Sequence, residues 1–166
     1  MLILYIVLIA LIPVLAEALR YIVHSLTQGG GVTLIPWVLD LTRSENRGVA
    51  FGLFQNSTVF FAITTSIMII AFVILLIRNY KKSKLFSFSC VLIIGGGIAN
   101  LFERIVYGYV FDYLKLSFFP PVCNFADYCI TAGTVMLIIY LIFFSDFFKK
   151  DAERKPVGKA AEDEAD

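Results

Sequence analysis

Four apolar runs, each long enough to cross a bilayer, dominate this chain and leave it little choice but a membrane fold. Leu2 to Val23 is the first, broken by Pro13 and charged only at Glu17 and Arg20. Thr58 to Ile77 is the second and has no charge; Leu85 to about Phe102 is the third, and Phe125 to about Phe144 the fourth. About 20 apolar residues span the hydrocarbon core. Backbone polar groups in lipid must be satisfied within the segment, so these runs predict helices. Hydrophobic residues make up 59% of the chain and charged ones 16%, too apolar for an ordinary soluble domain. The expected fold is therefore an all-α membrane protein of four transmembrane helices. A cleaved leader competes for the first run, because Ala16-Glu17-Ala18 resembles a small-x-small cleavage site. Against it, a leader needs a positive n-region, which is absent.

The connections are not alike. Residues 24–57 form a long first loop with a flexible break at Gln28-Gly29-Gly30-Gly31. From Val32 to Thr42, Trp37, Leu39 and Leu41 alternate with Val38, Asp40 and Thr42. That period of two predicts strands interrupted at Pro36, so this loop region contains β structure. Residues 107–123 form a second loop, punctuated by Gly108 and Pro120-Pro121. The second-to-third connection carries Arg78, Lys81, Lys82 and Lys84, and residues 149–166 are a charged tail, read as disordered and separate from a membrane domain over 1–148. Positive charge stays on the cytoplasmic side, which puts both termini inside and both long loops outside. The formal net charge of +1 gives no basic field for nucleic acid.

Chemistry concentrates between Gly95 and Asp127. Gly95, Gly96, Gly97 and Ala99 let another helix approach closely. These glycines do not follow a GxGxxG spacing, so a dinucleotide loop is not expected. Asp112 and Asp127 lie fifteen residues apart, each among apolar and aromatic neighbours, and both fall at the outer leaflet. An ionisable side chain beside lipid is expensive and points to function; a hydrogen-bonded structural aspartate at a helix start is the plainer reading of each. If the two converge they share a proton, one serving as general base and the other as general acid. His24 is the only histidine, so no Ser–His or Cys–His set is available, and Cys90, Cys123 and Cys129 lack metal-ligand spacing. No cofactor or metal is expected. At this level a two-aspartate hydrolase, a proton-coupled carrier and a non-catalytic scaffold all stay open. Glu17 and Arg20 are spaced to pair on one helix face. Glu103 and Arg104, just beyond the glycines, are expected mainly to brace the bundle.

Four blocks together go further: Asn46-Arg47-Gly48-Val49-Ala50-Phe51-Gly52, Gly96-Gly97-Ile98-Ala99-Asn100-Leu101-Phe102-Glu103-Arg104, Val110-Phe111-Asp112-Tyr113 and Asn124-Phe125-Ala126-Asp127. In this order they resemble lipoprotein signal peptidase, the type II signal peptidase of bacteria, whose pattern is roughly NxGxAFG, GGxxGNxxDR, VxDF and FNxAD. The resemblance implies an aspartic endopeptidase of the bacterial inner membrane with Asp112 and Asp127 as the catalytic pair. It implies substrate-binding or orienting roles for Asn46, Gly48, Asn100, Arg104 and Asn124. The implied substrates are diacylglyceryl prolipoproteins, held in membrane lipid and cut before the lipid-modified cysteine, and the implied inhibitors are globomycin-type cyclic peptides. The chain departs from the pattern at Ala99, Glu103 and Tyr113, and at Glu17-Ala18-Leu19-Arg20, where the family has roughly Asp-x-x-x-Lys.

Overall fold

The computed structural model describes residues 1–48 and 58–144. The rest of the 46–52 block and the charged tail lie outside the described residues. Among the described residues, four helices are long and apolar enough to cross a membrane: α1 (Leu2–Leu26), α2 (Thr58–Asn79), α3 (Lys84–Tyr107) and α4 (Phe125–Phe143). Strands β1 (Val32–Ile35) and β2 (Leu39–Asn46) follow α1; β3 (Val110–Leu116) and β4 (Val122–Cys123) lie between α3 and α4.

Helix α3 is the axis of the bundle. In its most apolar stretch 61% of residues are buried, against 6% in α2 and 17% in α1 and α4. The sequence explains how three helices can surround it. A Cβ on Gly95 would meet Ile12 of α1 at 2.6 Å, one on Gly96 would meet the Ala126 carbonyl oxygen of α4 at 2.6 Å, and one on Gly97 would meet Ile69 of α2 at 3.2 Å. Three consecutive glycines thus turn three faces to three neighbours, and contact, not a water-driven force, holds helices together in lipid. Gly133 repeats the device from α4, where a Cβ would lie 2.8 Å from the Ser89 carbonyl oxygen. Around these contacts Tyr5, Ile12, Leu76, Phe86, Cys90, Val91, Ile94 and Cys129 form the main core.

The ends of α3 are well marked. Ser83 caps its start, accepting from the Phe86 N–H. Gly108 closes it with φ 79°, a left-handed turn that favours glycine, and the chain passes directly into β3. The strands expected in the first loop form as an antiparallel pair joined at Pro36–Val38, and Trp37, at φ 64°, is almost fully exposed at that turn. The second loop, read from sequence only as punctuated loop, also holds strands. The sheet runs β1-β2-β3-β4, all antiparallel, so β2 and β3 zip the two loops together. The period of two is hidden in β3 because Val110, Phe111, Asp112 and Tyr113 are all buried, on both faces. Phe111 and Tyr113 pack with Leu41 against Val23 of α1.

The glycine contacts have a measurable consequence. An exposed helical glycine changed to alanine gains about 1 kcal/mol of helix propensity. At Gly96 the added carbon meets backbone, so overpacking of about 1–3 kcal/mol opposes that gain. Gly96→Ala should lower the thermal midpoint in detergent modestly and Gly96→Val by more. Gly29→Ala, where nothing lies within 4 Å of the new carbon, should leave it unchanged.

Candidate active site

The site is built from helix ends and one strand. Asn124, in extended backbone (φ −125°, ψ 178°), is the N-cap of α4. Its Oδ1 accepts from the Asp127 N–H at 3.0 Å, and Asp127 Oδ2 accepts from the Asn124 N–H at 3.0 Å. This reciprocal capping box fixes Asp127 in the first turn, where the helix dipole favours a carboxylate. The Asn124 amide nitrogen then donates to Asp112 Oδ1 on β3 at 2.8 Å and to Asn100 Oδ1 on α3 at 3.1 Å. One side chain thereby joins both aspartates and the central helix.

The two remaining carboxylate oxygens are also satisfied. Asn100 Nδ2 donates to Asp127 Oδ1 at 2.8 Å, and Asn46 Nδ2, from the end of β2, donates to Asp112 Oδ2 at 2.9 Å. The Gly48 N–H holds Asn46 in turn, donating to its Oδ1 at 3.1 Å. Arg104 donates from Nη1 to the Asn100 carbonyl oxygen at 3.2 Å and lies over the Phe61 ring at 5.9 Å. All seven residues singled out in the sequence therefore converge, five in direct contact around the two carboxylates, Gly48 through Asn46 and Arg104 through Asn100. Asn46 and Asn100 thus each donate to one of the two carboxylates.

Two further contributors are positions where the chain departs from the family pattern. Glu103 Oε2 accepts from the buried Phe111 N–H at 2.6 Å, clamping the residue before Asp112 to α3. Tyr113 accepts at its hydroxyl from the Phe125 N–H at 3.3 Å, an α4 donor that has no partner within its own helix. A phenylalanine at position 113 could not accept that bond. Glu17 and Arg20 pair as their spacing predicts, at 2.8 Å, and Arg20 reaches Tyr107 Oη at 2.6 Å, tying α1 to the C-terminal end of α3.

The two aspartates differ in environment. Asp112 is 3% exposed, while Asp127 is only half-buried. Burial first, and the neighbouring Asp127 second, push the Asp112 carboxyl up to about 7; the Asn46 and Asn124 amides and the Arg104 charge pull it the other way. Two acidic groups with unequal solvation and a shared hydrogen-bond donor suit acid–base work near neutral pH.

Comparison with known proteins identifies the family. A family model described as signal peptidase (SPase) II matches residues 8–143. A lipoprotein signal peptidase of Clostridium acetobutylicum is 33% identical over 153 residues, 89% of this chain and 98% of the relative. One from Caldanaerobacter subterraneus is 36% identical over 139 residues, 83% of this chain and 95% of the relative. Two solved structures described as a bacterial membrane enzyme superpose with TM-scores of 0.77 and 0.76, each at 26% identity. They cover 91% and 85% of this chain, and 91% and 94% of their own.

The raised Asp112 carboxyl links stability to pH. Because folding favours its protonated form, the stabilisation is complete below the ordinary carboxylate range and is lost as pH rises through about 7. The thermal midpoint in detergent should fall across that interval. Asp112→Asn, which has no proton to lose, should flatten the fall; an undiminished slope in that variant would assign the titration to another group.

Proposed function

This chain belongs to the signal peptidase II family, membrane proteases that remove signal peptides from prolipoproteins, and from that premise we propose that it is an aspartic endopeptidase with Asp112 and Asp127 as its catalytic pair, cutting just before the diacylglyceryl-modified cysteine. The observation that carries this reading is the convergence of two carboxylates whose four oxygens each accept a fixed donor. Asp112, buried and able to keep its proton near neutral pH, is the acid. Asp127, the less buried of the two, is the base.

In the reaction Asp127 takes a proton from a water molecule as its oxygen bonds to the scissile carbonyl carbon. The carbon–nitrogen bond then breaks, and Asp112 gives its proton to the departing amine nitrogen. The proton gained by Asp127 passes back to Asp112, restoring the pair. Asn46, Asn100 and Asn124 hold both groups in place throughout, so little of the barrier is spent on orienting them. The sites of Asp112 on β3 and Asp127 at the start of α4 suit a substrate anchored by lipid in the outer leaflet. Inhibition by globomycin-type peptides belongs to the same reading.

Asp112→Asn and Asp127→Asn keep the side-chain shape and should insert and fold. Each should lose essentially all cleavage of a diacylated prolipoprotein in a gel-shift assay, and the double variant should be scarcely worse, because groups acting as one unit fail together. In the parent, activity should decline as pH rises through about 7 and Asp112 loses its proton. Asn46→Leu removes a donor to the ionised form, so any residual activity should decline at a higher pH. Substantial turnover by either aspartate variant would remove that residue from the pair.

The same reading places both termini in the cytoplasm, from the basic residues at 78–84 and 149–159. In a background lacking Cys90, Cys123 and Cys129, an impermeant thiol reagent applied to intact cells should label Gln28→Cys and spare Ser83→Cys. The reverse pattern would put the aspartates on the cytoplasmic side.

A further inference from the structure

A groove of about 400 Å³ runs between α2 and α3 and plays no part in the chemistry above. Ala62, Ser66, Ile70 and Leu101 are among its walls, and Arg104 lies at its outer end, near the start of α2 at Thr58. From Thr58 to Ile70 the helix rises ~18 Å, slightly more than the ~15 Å of one leaflet's hydrocarbon. The lining is almost wholly apolar below Arg104. That guanidinium has five N–H donors, and its one hydrogen bond among the described residues is to the Asn100 carbonyl oxygen.

We propose that this groove holds one acyl chain of the substrate's diacylglyceryl group, with Arg104 donating to the ester carbonyl at its head. The inference rests on the prolipoprotein reading above and adds where the lipid goes. Continuity supports it, because Arg104 bonds Asn100 and the Asn100 side chain bonds Asp127, so the head of the groove adjoins the catalytic pair. Chemistry supports it as well: an ester offers only acceptors and a guanidinium only donors. A chain moving from bilayer to groove exchanges one apolar environment for another and gains little hydrophobic energy. What it gains is position. The chain is tethered through the glyceryl group to the cysteine beside the scissile bond, so seating it orients that bond toward Asp112 and Asp127. Membrane phospholipids carry similar ester-linked chains but have no scissile peptide attached, so the experiment must separate the two sources.

A prolipoprotein bearing diazirine-tipped acyl chains, incubated with the uncleaving Asp112→Asn variant in nanodiscs, should crosslink to α2 between Ala62 and Ile70 and to Leu101. Excess unlabelled diacylated prolipoprotein should abolish that labelling. Phosphatidylglycerol with the same diazirine chain should label the groove only when substrate is absent. In the active parent, Ser66→Phe fills the groove and should raise KM severalfold while leaving kcat within about twofold; Ala62→Leu gives the same test if the larger change disturbs folding. Substrate crosslinks confined to other helices, phospholipid labelling that substrate does not displace, or an unchanged KM in a folded groove-filled variant would each overturn the proposal. A parent that cleaves nothing would instead sink the peptidase reading, and the crosslinking arm would still decide whether the groove takes the chain.

Discussion

Everything at this site depends on the side chain of Asn124. Two carboxylates drawn together in an apolar setting repel each other and are poorly solvated, so they need donors placed before they meet. The amide of Asn124 caps α4, holds Asp127 by that cap and donates across to Asp112. Its second amide hydrogen engages Asn100, which is the donor for the far oxygen of Asp127. No atom of the asparagine head group is left over, and a buried group without its partner costs about 1–3 kcal/mol. A network satisfied this completely is rigid, and its rigidity fixes the separation of the two acids.

Helix α3 supplies the frame for that network. Gly95, Gly96 and Gly97 seat α1, α4 and α2 against it within a single turn. About one turn farther along Asn100 reaches Asp127, and about two turns along Glu103 reaches the N–H beside Asp112. The same short segment that sets the helix spacing therefore sets the carboxylate spacing. At the C-terminal end of α3, Arg20 and Glu17 bind α1 to Tyr107 and close the frame there.

Much of this was legible in the sequence, for identifiable reasons. Long apolar runs leave no alternative to membrane helices, and the alternation from Val32 to Thr42 announces strands because it runs through β-branched and apolar residues at a period of two. The capping asparagine and aspartate stand three residues apart, a spacing with local meaning. What could not be read is what depends on pairing across the chain. Strand β3 is buried on both faces and so has no alternation to read, and its partnership with β2 joins loops separated by two membrane crossings. Glu103 reads as a brace, and nothing local reveals that what it braces is the N–H of Phe111. Tyr113, a departure from the family pattern, reveals its use only when its hydroxyl is seen to hold the first turn of α4.

The pairing of β2 with β3 also bears on how the protein is made. Asn46 emerges between the first and second helices, and Asp112 between the third and fourth, yet the two side chains touch. Asp127 and Asn124 come later still, at the start of the last helix. A nascent chain with two helices inserted has a strand edge without its ladder partner and neither acid; with three, it has one acid and no Asn124 to hold it. The two carboxylates thus come together only once the fourth helix has begun to emerge, so a membrane protease of this build passes through most of its own biogenesis with its candidate site unassembled.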